Sequence, residues 1–264
     1  MDLQLTNKKA LVTGSTAGIG FAIASVLAKE GASVIVNGRT EERVEEAIER
    51  IEKQSDGGEV TGIAADLGTK EGVEFLTGKL PDVDVLVNNM GIFEVKAFAD
   101  ITDADWMRFF EVNVMSGVRL SRFYLPKMLK KNWGRIVFIS SESGLNIPTE
   151  MIHYGMTKTA QISVARGLAE LTAGSGVTVN SVLPGPTRSE GVEKFLAQMS
   201  KAKGVTPEVI EGEFFQTARP SSLLKRFEKP EEVAAMVAYV CSVAASGTNG
   251  AALRVEGGVV RSIG

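Results

Sequence analysis

The sequence of 264 residues has one cysteine and one histidine. Cys241 has no partner for an intrachain disulfide, which agrees with a reducing compartment and leaves core packing as its role. A lone cysteine and a lone histidine exclude the usual Cys/His zinc sites, and no metal is expected. No apolar run approaches the roughly 20 residues that cross a bilayer. Charge is scattered through the opening MDLQLTNKKALVTG, so neither a signal peptide nor a membrane span is predicted. The expectation is a cytoplasmic protein with no membrane partner. Long basic runs are missing too. With a formal net charge of -3 the whole-molecule field does not draw in nucleic acid, and any phosphate site has to be built locally. What is there is ordinary for a globular protein, 44% hydrophobic and 23% charged, with enough chain to bury a substantial core.

Short apolar runs ending in small or turn-forming residues recur at Lys9 to Thr13, Ser33 to Asn37, Val60 to Ala64, Val83 to Asn88, Arg135 to Ser140, Val177 to Leu183 and Ala251 to Val255. Several are near-continuous in Val, Ile, Leu and Ala, as expected for parallel strands covered on both faces. Helical segments lie between them, at Ile19 to Glu30, Glu41 to Gln54, Thr69 to Leu80, Asp103 to Lys131, Tyr154 to Ala173 and Glu231 to Ala245. This β-α alternation with right-handed crossovers predicts a doubly wound α/β fold, a Rossmann-type parallel sheet of about seven strands with helices on both faces. Gly31 is placed to end the first helix, Thr40 to cap the second and Pro230 to open the last. No repeat or low-complexity linker interrupts the pattern, so residues 1–264 read as a single domain. The segment at about 189–229, with its Gly, Pro and mixed charge, reads as a protruding, mobile element that covers the substrate.

After the first strand comes TGSTAGIG, with Gly14, Gly18 and Gly20 where strand turns into helix. Glycines let the backbone approach a pyrophosphate closely, and the amides and positive end of the following helix stabilise its charge. A glycine cluster by itself also suits a plain tight turn; the β-α context favours the phosphate reading. The second strand ends in VIVNGRT, where a dinucleotide fold meets the adenosine ribose. An acid there would accept from both ribose hydroxyls and repel a 2′-phosphate. This segment offers Arg39 instead, which suits that phosphate, so NADP(H) is expected to be preferred, with NAD(H) still open.

Ser141, in FISSESG, stands thirteen residues before Tyr154, and Lys158 follows four residues later in YGMTK. On a helix, positions i and i+4 share a face. A phenol with a pKa near 10 is a poor base at neutral pH, and an ammonium beside it stabilises the phenolate.

Taken together, TGSTAGIG, NNMG, Asn113, Ser141 and the Tyr-x-x-x-Lys pair resemble the short-chain dehydrogenase/reductase family, from about residue 5 to residue 259. The resemblance implies an enzyme that moves hydride between a nicotinamide and a small carbonyl or alcohol substrate. It implies Tyr154 as acid/base, Lys158 lowering the phenol pKa and holding the nicotinamide ribose, and Ser141 donating to the substrate oxygen. Asn113 matches the asparagine that positions a water linking the lysine to solvent. For the cofactor it implies contacts from Gly14, Ser15, Thr16, Gly18, Ile19 and Gly20, from Arg39, Asp66 and Leu67, and from Asn88, Asn89, Met90 and Gly91. Pro184, Gly185, Thr187 and Ser189 match the segment that orients the carboxamide. Met90 stands where the family commonly has alanine, and Ser189 where it commonly has threonine. A homo-oligomer, tetramer or dimer, is implied through the helices at 103–131 and 154–173; Trp106, Phe109, Phe110 and Met115 serve either that surface or the core.

Competing readings are a non-catalytic dinucleotide-binding sensor or scaffold, disfavoured by the intact Ser141, Tyr154, Lys158 and Asn113, and an extended epimerase or dehydratase, disfavoured by length and glycine spacing. His153 precedes Tyr154, but adjacent helical residues point about 100° apart, so it is expected to face away from the reacting groups. In the covering segment Phe195, Leu196, Met199, Phe214 and Phe215 are expected to form an apolar lid over a moderately apolar substrate. Lys201, Lys203 and Arg219 are candidates for an anionic group.

Overall fold

The computed structural model describes residues 2–54 and 57–263, without the side chains of residues 194 and 195; the expectation for Phe195 therefore lies outside the described residues. Seven strands form one all-parallel sheet in the order β3-β2-β1-β4-β5-β6-β7. They are β1 Lys9–Val12, β2 Ser33–Gly38, β3 Val60–Ala64, β4 Val85–Asn88, β5 Gly134–Ile139, β6 Val177–Pro184 and β7 Ala252–Val255. The helices are α1 Gly18–Lys29, α2 Glu41–Glu52, α3 Lys70–Lys79, α4 Asp103–Phe110, α5 Ser116–Lys131, α6 Ile152–Glu170, α7 Glu190–Lys203, α8 Pro207–Thr217 and α9 Pro230–Cys241. The doubly wound, Rossmann-type fold expected from the alternation is the observed one.

Period-two geometry sends Val12 to one face of the sheet and Leu11 to the other, and each face has its own core. Ile23 and Leu27 of α1, Ile51 of α2 and Val237 of α9 cover one face; Leu76 of α3, Leu120 and Tyr124 of α5 and Ala165 of α6 cover the other. Burial on both sides explains the unbroken apolar run Ile136 to Ile139 in β5; β6 is buried along its whole length too, with Thr178, Asn180 and Ser181 among its residues. Cys241 is fully buried among the first set. Gly31 ends α1 with φ +86, and the Thr40 hydroxyl accepts from the Arg43 amide at 3.4 Å. The strand order reverses between β1 and β4, and the carboxyl ends of strands at such a switch point leave the crevice where ligands bind in open α/β sheets.

Two expectations change. The helix predicted over 103–131 is broken by a π turn at Glu111–Met115, a wider turn that displaces Asn113 without disturbing the apolar spacing on either side. The segment at 189–229 holds two helices that the pattern did not assign, α7 and α8, with a core of Leu196, Ile210, Phe215 and Phe227. Phe109 is fully buried and packs against His153 at a tilt of 55°, 4.0 Å between ring centroids, so it serves the interior and no subunit surface. Among the described residues no helix is long and apolar enough to cross a membrane.

Candidate active site

Between β1 and α1 the backbone takes left-handed values at Gly14 (φ +59) and Gly18 (φ +57), where a side chain is strained. A Cβ on Gly20 would lie 2.4 Å from both the Gly14 oxygen and Asn89 Nδ2. The result is a cradle of bare backbone at the start of a helix, which fits a pyrophosphate. Ser15 does not face it: fully buried, its hydroxyl donates to the Val12 carbonyl at 2.7 Å and accepts from the Asn37 amide at 3.0 Å. Thr16 packs on Gly38, where a Cβ would meet its methyl at 2.4 Å, and Ile19 lines the same cleft as Tyr154 and Lys158.

Asn37 is turned inward as well. Its Oδ1 accepts from the Gly14 amide at 3.2 Å, and its Nδ2 donates to the carbonyls of Ile63 and Ala65 at 3.1 and 3.2 Å. Arg39 lies beyond it, exposed, with no hydrogen bond or ion pair among the described residues. Asp66 is exposed and its Oδ1 accepts from the Gly68 amide at 3.0 Å, while Leu67 is fully buried in the core.

At the end of β4, Asn88 points into the protein and donates to Ser121 Oγ at 3.2 Å. Asn89 Nδ2 donates to the carbonyls of Thr13 and Gly14 at 2.9 and 3.0 Å, tying the strand end to the glycine turn. Thr13, which the motif reading passed over, accepts from the amides of Asn89 and Met90 at 2.9 and 3.0 Å. Met90 packs over Gly14 and Gly68, and a Cβ on Gly91 would lie in contact with the Lys158 amine at 3.4 Å.

A cleft of about 370 Å³ opens here, and Ser141, Tyr154, Lys158, Gly91, Gly185 and Thr187 all line it. Ser141 sits just past β5, Tyr154 and Lys158 one turn apart on α6. The far edge is the segment after β6. Buried Glu228 accepts there from the Gly185 amide at 3.3 Å and pairs its backbone with Pro186 and Arg188. Ser189 caps α7 through the Val192 amide at 3.4 Å, and its Cβ would lie 3.5 Å from one built on Gly18, so the two loops meet.

Lys158 is buried, and its Nζ donates to the Ile139 carbonyl at 2.9 Å and to Gln161 Oε1 at 3.1 Å. Burial lowers its pKa to about 7. The Tyr154 phenol is pushed up to about 12, chiefly by burial, with the Ser141 hydroxyl acting in the opposite direction. The expected lowering of the phenol by Lys158 is therefore not the balance in this structure. The ammonium is itself desolvated and aimed at carbonyl oxygens, 5.6 Å from the phenol ring centroid.

Asn113 is also more occupied than expected. Its side chain accepts from the Ile92 amide at 2.7 Å and donates to the Ile92 carbonyl and to Thr157 Oγ1, both at 3.0 Å. The carbonyl of Asn113 accepts from Gln161 Nε2 at 2.6 Å. Gln161 thus bridges Lys158 and the π turn. It lies three residues beyond the lysine on α6, a spacing the sequence offers without singling it out.

A sequence profile described as short chain dehydrogenase matches residues 8–200. The chain belongs to the short-chain dehydrogenase family. It is 50% identical over 263 residues to the oxidoreductase YvaG of Bacillus subtilis, covering 100% of both chains. It is 35% identical to the 3-oxoacyl-[acyl-carrier-protein] reductase FabG of Aquifex aeolicus, covering 98% of this chain and 100% of the other. The structure of L-sorbose reductase from Gluconobacter frateurii, complexed with NADPH and L-sorbose, matches with a TM-score of 0.91 at 30% identity, covering 100% of both chains. This short-chain dehydrogenase is an oxidoreductase acting on CH-OH or C=O groups, and the family fold carries the dinucleotide at the carboxyl ends of the strands where the glycine cradle lies.

His153 is not part of this short-chain dehydrogenase's site. It is fully buried against Phe109 and Trp106, and among the described residues neither ring nitrogen has a hydrogen-bond partner. Burial holds its pKa below the ordinary 6.5. The folded state then takes up fewer protons than the unfolded chain as pH falls through that value, so native stability declines on acidification. His153→Leu is expected to be more stable than wild type by a margin that widens from about pH 7 to pH 5, measured by thermal melts. A margin constant across that range would remove the assignment.

Proposed function

We infer that the protein is an NADP(H)-dependent reductase or dehydrogenase for a small carbonyl or alcohol substrate. The observation that carries the reading is the convergence of Ser141, Tyr154 and Lys158 on one cleft beside a backbone cradle that fits a pyrophosphate. When bound, the nicotinamide supplies the hydride to the carbonyl carbon or takes it from the alcohol. Tyr154 gives its phenolic proton to the substrate oxygen in reduction and takes it back in oxidation. Ser141 donates a hydrogen bond to that oxygen as negative charge develops on it. Lys158 would hold the nicotinamide ribose hydroxyls, and Gln161 and the Ile139 carbonyl fix where its amine lies. Asn113 locks the Ile92 backbone along the cleft wall.

Preference for NADP(H) rests on Arg39, free at the end of β2, and on Asn37, whose side chain is committed inward. A charge-assisted contact to a phosphate is worth roughly 1.5–3 kcal/mol. Arg39→Ala is therefore expected to weaken NADPH binding about ten- to a hundredfold while leaving NADH binding nearly unchanged, both read by nicotinamide fluorescence. Tighter binding of NADH than NADPH by the wild-type protein would overturn the preference. Other parts of the reading are a single domain with residues 189–229 as its cover, a cytoplasmic location, and assembly as a dimer or tetramer through the helices at 103–131 and 154–173, which light scattering checks.

A further inference from the structure

Beyond the reacting groups, the cleft contains a charged set that the expected apolar substrate does not explain. Arg219, just past α8, is 7% exposed. Its Nε donates to Glu142 Oε1 at 2.9 Å; its Nη1 donates to Glu150 Oε1 at 3.2 Å and to the Ala218 carbonyl at 2.9 Å. Glu142 follows Ser141 directly and is 3% exposed. Its Oε1 also accepts from Ser143 Oγ at 3.1 Å, while its Oε2 has no hydrogen-bond partner among the described residues. Glu150, whose side chain keeps 41% of its surface exposed, lines the same cleft four residues before Tyr154.

Two carboxylates against one guanidinium leave this wall with an excess negative charge. An anionic substrate would have to displace a carboxylate from Arg219 and then lie against it. Among the described residues the other cation lining the cleft is Lys158, whose amine is engaged by Ile139 and Gln161. Lys203, an expected anion partner, pairs with Glu213 on the outside of the cover at 2.5 Å, and Lys201 is exposed on α7. A plain ketone fits no better, because it leaves the buried Glu142 oxygen without a donor, and an unsatisfied buried acceptor is costly. A molecule with O–H groups beside its carbonyl meets both conditions. Its carbon faces suit the apolar walls supplied by Ile92, Phe93 and Phe214.

We propose that the substrate is an uncharged hydroxylated ketone or the corresponding polyol, whose hydroxyls donate to Glu142 and Glu150 while its carbonyl carbon faces Ser141 and Tyr154. The inference rests on the reading of Ser141 and Tyr154 given above. It replaces the moderately apolar substrate expected from the sequence.

The test is initial-rate kinetics of the purified full chain with NADPH and with NADH on four probes: a ketohexose, dihydroxyacetone, cyclohexanone and a 5-ketoaldonate. The expected result is a kcat/KM for at least one hydroxylated neutral probe exceeding those for cyclohexanone and the keto acid by about tenfold or more. In Glu150→Gln the ratio of kcat/KM for that probe to kcat/KM for cyclohexanone falls about fivefold or more, mainly through KM, and the keto acid gains. Glu150 is partly exposed, so this variant is not expected to disturb folding. Turnover that favours cyclohexanone or the keto acid overturns the substrate class alone. Equal losses on all probes in Glu150→Gln do so too. No turnover of any probe, with NADPH still bound, overturns the underlying reading as well.

Discussion

Tyr154→Phe is expected to lower kcat/KM about 10³- to 10⁴-fold on any carbonyl compound the wild-type protein reduces, because positioned proton transfer contributes up to that much. The ring itself should stay in place. It packs edge-on against Phe93 at 6.4 Å between centroids, and the substitution removes only the hydroxyl. NADPH affinity is accordingly expected within about threefold of wild type, a change of less than 1 kcal/mol, so loss of turnover without loss of binding is the signature. The direction of the phenol shift adds a pH test. Held up to about 12 before ligands bind, Tyr154 is protonated throughout the neutral range and ready to act as an acid. The reverse reaction needs the phenolate, so alcohol oxidation should accelerate with each step in pH up to about 10 while carbonyl reduction does not. A Tyr154→Phe protein retaining a tenth of wild-type activity would remove the residue from the proton-transfer role.

Lys158→Met is expected to abolish turnover and to make the protein more stable. Holding this amine at about 7 instead of its ordinary 10.5 costs roughly 5 kcal/mol of native stability at neutral pH. Methionine removes that cost but leaves the Ile139 carbonyl and Gln161 Oε1 without their donor, returning about 1–2 kcal/mol for each. The net gain of about 2 kcal/mol corresponds to a rise in Tm of about 4–8 °C for a chain of this size. The sign follows from proton uptake. Between about 7 and 10.5 the folded state binds fewer protons than the unfolded chain, so wild-type stability rises with pH across that window. The gap between variant and wild type should thus be full at pH 7 and below and shrink towards pH 10, as followed by calorimetry. A variant less stable than wild type at pH 7 would show that the buried amine is not under strain.

Much of this was legible in the sequence because it is local. Parallel strands buried on both faces favour unbroken apolar runs, and Val34 to Val36 of β2 and Ile136 to Ile139 of β5 are such runs, while β6 is buried with Thr178, Asn180 and Ser181 in it. Tyr154 and Lys158 are a helical turn apart and need no tertiary information to share a face. The π turn escaped because the apolar spacing runs through it on both sides, and only the contacts of Asn113 with Ile92 and Gln161 betray it. Helices α7 and α8 had legible signals that went unused: Ser189 caps the first, Gly204 ends it at φ +65, and Thr206-Pro207 opens the second. The Arg219–Glu142 pair had none, since 77 residues separate its members and neither position carries a motif. Long-range partners of this kind follow from the path of the cover over the sheet.

That pair also ties the end of the cover to the floor of the cleft. Arg219 belongs to the end of the cover, Glu142 to the floor beside Ser141. The group that sorts substrates is therefore also the latch that seats the cover, and selectivity and closure cannot be retuned separately. Laboratory or natural divergence of this enzyme should proceed by exchanging the stretch at 189–229 as a cassette together with the residue at 142. A cassette moved alone would leave a buried charge facing nothing, and would fail by misfitting the floor before its own pocket was ever tried.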